Sequence, residues 1–257
     1  MRWPGFRKVR RQVRRRIGRR MQELGLEEVA AYRRRLEEDP AGWSALDACC
    51  RIPISRFHRD QGVFEALRTE ILPELATGAR ERGDTTLRIW SAGCASGEEP
   101  YTLAAIWILD SAPRFPDLSL EIVATDIEPH LLERCRDGRY ERGSLREVPE
   151  EWLSKMFTEE EGRFVIRPEL RAPVRFLRQD LREETPDGQF DLVCCRNLAF
   201  TYFDEASQAE ILRKLIEKIR PGGRLVIGQR ERLPFLPSEL VEELPSLRIY
   251  RAVRPRP

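Results

Sequence analysis

The sequence predicts an α/β protein, with a doubly wound sheet following a helical N-terminal extension. Three observations lead there. From Thr86 onward, short apolar runs alternate with helix-like stretches. Before that point apolar residues recur at helical spacing instead. The chain of 257 residues is also long enough for one substantial core plus a small appendage.

Residues 1–20 carry ten Lys/Arg and no acid. Val9, Val13, Ile17, Met21 and Leu24 recur through and just beyond this stretch, giving an amphipathic helix with one apolar stripe and arginines around the rest. Gly25 ends it. The stretch "LEEVAAYRRRLEEDP" reads as a second helix stopping at Pro40, with Leu26, Val29 and Leu36 on one face. A third helix around "GWSALDACC" leads into "RIPISRFHRD".

The predicted strands are 87–91, 120–125, 174–178, 190–195 and 224–229, with 247–253 as a last strand. Residues 139–173 are too long for a simple connection, and "GRFVIRPELRAPVRFL" reads as a small hairpin attached to the sheet. The expected organisation is a basic helical domain and linker over 1–60, then one domain over 61–257 with 139–173 as a β insertion.

Only four of the 45 basic residues are lysines, and net charge is near neutral, so the positive field is local to the N-terminus. An acidic partner is the natural inference. No 18-residue apolar run is present, and the N-terminus lacks the apolar core of a secretory signal, which predicts a soluble, cytoplasmic protein without membrane insertion. Six cysteines include no C-x-x-C, and only His58 and His130 could join them, which disfavours zinc and fits a reducing compartment. Cys194 and Cys195 read as core packing. Cys94, in the glycine loop, is the thiol that oxidation could touch.

"IWSAGCASGEEPY" (89–101) looks at first like a phosphate loop, but Glu98 and Glu99 would repel a polyphosphate. The spacing predicts a helix starting near Pro100. A ligand that is cationic fits better, and S-adenosylmethionine has a sulfonium, an ammonium, a ribose and an adenine. Asp126, at the end of "ATDIE", is placed to accept both ribose hydroxyls. Asp180 of "RQDL" can accept from the adenine amine while Leu181 supplies an amide, against a plain reading as a polar turn. Arg196 and Asn197 leave a buried strand where the crevice should lie. Glu99 is assigned to the methionyl ammonium and Glu98 to the helix start, facing the N-terminal dipole.

Together, "RIWSAGCASGEEPYTLA", "ATDIEPHLLERCRDGRYERGSL", "DLVCCRNLAFTYFD" and "IRPGGRLVIG" resemble the bacterial chemotaxis-receptor methyltransferases, or CheR family, over nearly the whole chain. The resemblance implies a Rossmann-like class I methyltransferase sheet, a preceding helical domain and a small antiparallel β subdomain. It implies S-adenosylmethionine as cofactor, S-adenosylhomocysteine as product, and protein glutamate as acceptor. Matched positions imply that Ser55, Arg59, Gly93, Glu99, Asp126, Ile127, Asp180, Leu181, Arg196 and Asn197 bind the cofactor. Arg59 closes over its methionyl end or the substrate carboxylate, and with Tyr202 at the substrate mouth makes up the catalytic pair.

Three departures mark a divergent member. Pro53 stands where the family has asparagine, removing an N–H and a side-chain amide, and Ser55 replaces a threonine. "RNLAFTYFD" has one residue more between asparagine and tyrosine than the common form, which displaces Tyr202 if the turn is otherwise alike. The chain also leaves little before the basic helix. Carboxyl methylation needs no base, and histidine is scarce; His58 reads as structural rather than catalytic.

The leading expectation is therefore methylation of glutamate on an acidic, helical protein that docks on the basic helix. The alternatives are a small-molecule or peptide methyltransferase and a non-catalytic cofactor-binding module. Nucleic acid ranks below protein docking, because no aromatics interleave the basic stripe.

Overall fold

The computed structural model describes residues 3–7, 9–52 and 55–253. Pro53 lies outside them. The chain forms two compact units, Met1–Ile54 and Ser55–Pro257.

The first unit consists of α1 (Arg10–Glu23), α2 (Val29–Glu38) and α3 (Pro40–Cys50). Gly25 adopts φ 67 just past α1, and the Leu26 N–H closes back on the Met21 carbonyl. Asp39 ends α2 and caps α3 by accepting from the Ala41 N–H at 3.0 Å. Met21, Tyr32 and Leu36 form the core, flanked by Ile17, Leu24, Leu26 and Leu46. One expectation is corrected here. Val29, the first residue of α2, is 72% exposed, and Tyr32 one turn later packs in its place.

The second unit begins with α4 (Gln61–Ala66), which continues through a π turn at Leu67–Ile71 into α5 (Leu72–Glu81). Leu72, Leu75, Ala76 and Ala79 supply the buried stripe of α5. Then come β1 (Thr86–Ala92), α6 (Glu98–Ile106), β2 (Ser119–Asp126), α7 (Pro129–Asp137) and β3 (Arg139–Tyr140). These are followed by α8 (Glu150–Met156), β4 (Phe157–Glu160), β5 (Arg163–Ile166), α9 (Pro168–Arg171), β6 (Val174–Arg178) and β7 (Phe190–Cys195). The unit closes with α10 (Ala199–Tyr202), α11 (Glu205–Glu217), β8 (Ile219–Ile227), β9 (Leu240–Leu244) and β10 (Ile249–Ala252).

Seven strands form the main sheet in the order β6-β2-β1-β7-β8-β10-β9. The first five are parallel, and β10 runs antiparallel to both β8 and β9. Strand β7 is buried at every residue, as a central parallel strand covered on both faces must be. The reversal of strand order at β1 opens a crevice beyond the C-terminal ends of β1 and β7.

A second sheet, β3-β5-β4, lies within the insertion. Its hairpin is Phe157–Ile166, turning at Glu161 and Gly162 with φ 51 and 73, the paired positive values of a type I′ turn. The hairpin thus sits upstream of the 162–177 stretch that read as a hairpin, while Val174–Arg178 joins the main sheet as its strand pattern predicts. Strand β9 was not expected, because "LVEEL" is short and acidic.

Asp191 on β7 is buried, accepting from the Arg88 N–H at 2.9 Å and the Arg82 guanidinium at 2.6 Å. Gly223 on β8 packs directly on this point. A Cβ there would lie 2.8 Å from the Asp191 carbonyl oxygen and 2.8 Å from Ile219. Gly223→Ala should therefore destabilise the protein by about 2 kcal/mol, measurable as a lower urea midpoint with an unchanged slope.

Candidate active site

The crevice is built from the C-terminal ends of five neighbouring strands. Register sets the arrangement: Ala92 pairs with Thr125 and Asp126 pairs with Arg178, so the loops after β1, β2 and β6 start at one level. Asp180, Asp126, the Gly93–Glu99 segment, Arg196–Asn197 and Gly228–Glu231 then follow in the order of the strands.

The loop after β1 is pinned by the end of β2. The Gly93 and Cys94 N–H groups both donate to the Thr125 carbonyl, at 2.8 and 2.9 Å. The Ala95 N–H donates to Asp126 Oδ2 at 2.9 Å, holding Ala95 at φ 49. Gly93 has φ 77, and a Cβ on it would come within 2.4 Å of Leu198 Cδ2, so Leu198 occupies the space that glycine leaves. Asp126 also accepts from the Glu128 N–H at 3.0 Å. Burial raises its pKa against these backbone bonds.

Glu99 and Arg196 form the centre of the site. Ser91 Oγ donates to Glu99 Oε1 at 2.7 Å, and Arg196 Nη1 donates to Oε2 at 3.0 Å. Arg196 Nη2 also donates to Asp60 Oδ2 and to the Arg59 carbonyl, both at 2.8 Å, while its guanidinium lies 4.9 Å above the Phe64 ring. One guanidinium here meets two carboxylates, and Glu99 is fixed by Ser91 and Arg196 together. Arg196 bridges protein groups, so its contribution to a ligand is made through Glu99.

Asn197 adopts φ 57, with its N–H donated to Glu231 Oε2 at 2.8 Å and its Oδ1 accepting from Arg59 Nη2 at 3.2 Å. Tyr202 is half-buried at the end of α10; burial raises its phenol pKa, and the Arg59 charge works against that rise. The turn after β7 runs directly into α10, with the Thr201 and Tyr202 N–H groups both donating to the Leu198 carbonyl.

Asp180 accepts from the Arg182 N–H and guanidinium at 2.6–3.1 Å, within a turn whose Glu183 and Glu184 N–H groups donate to its carbonyl. Leu181 is buried in the core beside it, and Ile127 directs its N–H toward Asp126. Ser55 lies near Glu98, where its hydroxyl works against the rise that burial imposes on that carboxyl. Glu98 begins α6 as expected, but it is 2% exposed, its pKa is raised by burial, and Oε2 has no partner among the described residues.

The sequence reading missed Ser91, Asp60, Thr201 and Glu231. Glu231 had a signal: a charged residue shortly after the apolar run "RLVIG", the same logic that marked Arg196 and Asn197. Cys94 is buried, with Sγ beside that of Cys135, and burial raises its thiol pKa.

The donor set fits S-adenosylmethionine: a carboxylate at the end of β2 for a diol, acids after β1 for an ammonium, and Asp180 for an amine. The fold and this edge define an S-adenosylmethionine-binding methyltransferase. The chain belongs to the CheR methyltransferase family, matching its SAM binding domain over residues 54–246 and its all-alpha domain over residues 8–46. It is 36% identical over 182 residues to a chemotaxis protein methyltransferase of Listeria monocytogenes, covering 71% of this chain and 66% of that one. It is 32% identical over 226 residues to a probable chemotaxis protein methyltransferase of Rhizobium etli, covering 85% and 82%. A 104.1 kDa protein from the hypE 3' region of Rhodobacter capsulatus is 34% identical over 245 residues, which is 95% of this chain but 25% of that protein.

His58, in the strap that carries Arg59 and Asp60, is buried between Phe64 and Trp152 with Nε2 unpartnered among the described residues. Burial lowers its pKa from 6.5 to about 4, so it is neutral near pH 7. Because the unfolded chain binds the proton more readily, His58 stabilises the fold fully above pH 6.5 and loses that contribution as pH falls toward 4. The loss is about 3 kcal/mol from a shift of this size, so a His58→Phe variant should show a flatter urea stability profile between pH 7 and 4 than the parent.

Proposed function

We propose that the protein transfers the methyl group of S-adenosylmethionine to glutamate side chains of an acidic protein, forming methyl esters. The observation that carries this reading is the row of acceptors Asp180, Asp126 and Glu99 along the sheet edge, ending at the corner of Arg59, Asn197 and Tyr202. The chemotaxis methyltransferases among its relatives favour a protein acceptor.

S-adenosylmethionine, when bound, supplies an electrophilic methyl group on a sulfonium. A glutamate carboxylate is already ionised near neutral pH, so no residue need remove a proton. The work of the chain is positional. Asp126 offers its remaining lone pairs to the ribose, and Glu99, held by Ser91 and Arg196, faces the methionyl ammonium. Arg59, steadied by the Asn197 side chain, orients the incoming carboxylate, and Tyr202 shields the mouth from water.

The docking surface in this reading is α1, which holds seven arginines in 14 residues. Arg11, Arg14, Arg15, Arg16 and Arg19 are exposed and provide a field that attracts an acidic partner. Among the described residues no helix is long and apolar enough to cross a membrane.

The test is transfer of tritiated methyl from S-adenosylmethionine to proteins of a cell lysate, with base-labile release as methanol. Asp126→Ala and Arg59→Ala should each lower transfer roughly 10- to 100-fold, as the loss of hydrogen bonds to charged groups implies. Label that resists base, or appears on a soluble small product, overturns the glutamate reading; full activity in both variants overturns the site.

A further inference from the structure

We propose that Glu231 is a positioning residue that sets the turn between β7 and α10 and, through it, Asn197 and Tyr202. This rests on the methyltransferase reading above and adds to its site a residue that the cofactor's own chemistry does not call for.

Glu231 is 3% exposed and turns back on the end of β8, its N–H donating to the Gly228 carbonyl at 2.8 Å. Its Oε2 accepts from the Gly228 N–H at 2.7 Å and from the Asn197 N–H at 2.8 Å. Its Oε1 accepts from Thr201 Oγ1 at 2.7 Å. Donors from the residue after β8, the turn after β7 and α10 thus converge on one carboxylate. Gly228 makes room for it, since a Cβ there would lie 2.7 Å from Oε2 and 3.0 Å from Asn197.

Two of the three donors act directly on the site. Asn197 at φ 57 lies in the left-handed region, which asparagine enters more readily than other non-glycine residues, and the direction of its N–H fixes how the turn leaves β7. The bond to Glu231 holds it, and Asn197 Oδ1 then receives Arg59. Thr201 immediately precedes Tyr202 in α10, and its hydroxyl gives this turn a fixed seat on Glu231. Because the carboxylate is committed to three groups of the protein, it acts through Asn197 and Tyr202 rather than on the methyl acceptor.

The experiment uses the full chain and three variants, Glu231→Gln, Thr201→Val and Thr201→Ser. It measures S-adenosylhomocysteine affinity by calorimetry, methyl transfer at saturating S-adenosylmethionine, and the thermal midpoint. Glu231→Gln should lower transfer more than roughly tenfold and weaken S-adenosylhomocysteine binding several-fold. Thr201→Val keeps the side-chain shape and should lower transfer about fivefold with little change in midpoint, whereas Thr201→Ser restores the hydroxyl and should stay within about twofold of the parent. Parent-like transfer and binding in Glu231→Gln overturns the proposal, as does equal loss in Thr201→Val and Thr201→Ser. If the parent methylates a small product instead of protein, the glutamate reading fails while the same variant series on that product still decides this one. Should the parent transfer no methyl at all, unchanged S-adenosylhomocysteine affinity in Glu231→Gln overturns it and weakened affinity supports it.

Discussion

The buried guanidinium of Arg196 is the interaction on which the rest of the site depends. It joins the end of β7 to Glu99 at the start of α6 and to the Arg59–Asp60 strap, three segments far apart in sequence. A charge this deep is tolerated only when it is paired and hydrogen-bonded, and removal of one partner leaves the others uncompensated. Glu99 and Asp60 both pair with it, so the same cluster that closes the strap onto the sheet also fixes the Glu99 carboxylate at the crevice.

Much of the architecture was legible because the two units follow different rules. A buried parallel strand writes itself as a continuous apolar run, as "FDLVCC" does, and the sheet emerged from such runs. Strand β9 escaped because an edge strand needs no apolar run: Glu242 and Glu243 sit where the sheet ends. The hairpin was displaced for a related reason. "VRFLR" was legible as a main-sheet strand, but "RFVI" pairs with "FTEE" (157–160), a half-acidic segment with no apolar run to mark it. In the N-terminal unit, spacing marked Val29 as apolar and periodic, but whether a neighbour covers a given turn is not written in the periodicity.

The site was legible wherever chemistry sits directly at the end of a strand, as at Asp126, Arg196 and Asn197. It was not legible where one protein group engages another. Nothing in "GEEP" states that Glu99 meets Ser91 and Arg196 while Glu98 turns into the interior. Asp60 and Glu231 approach the crevice from 136 and 34 residues away from the groups they bind, a separation that no local motif encodes.

Leu198 occupying the space left by Gly93 has a consequence for how this enzyme can vary. The contact locks the first part of the loop after β7 to the loop after β1, so the two behave as one mechanical part up to Leu198. Beyond Leu198 the chain turns at once into α10, where Thr201 is held separately by Glu231. The two ends of that turn are thus fixed by different partners, Leu198 by the glycine loop and Thr201 by the segment after β8. A substitution within α10 can therefore leave the Gly93–Leu198 contact, and with it the half of the crevice that Asp126 and Glu99 line, undisturbed.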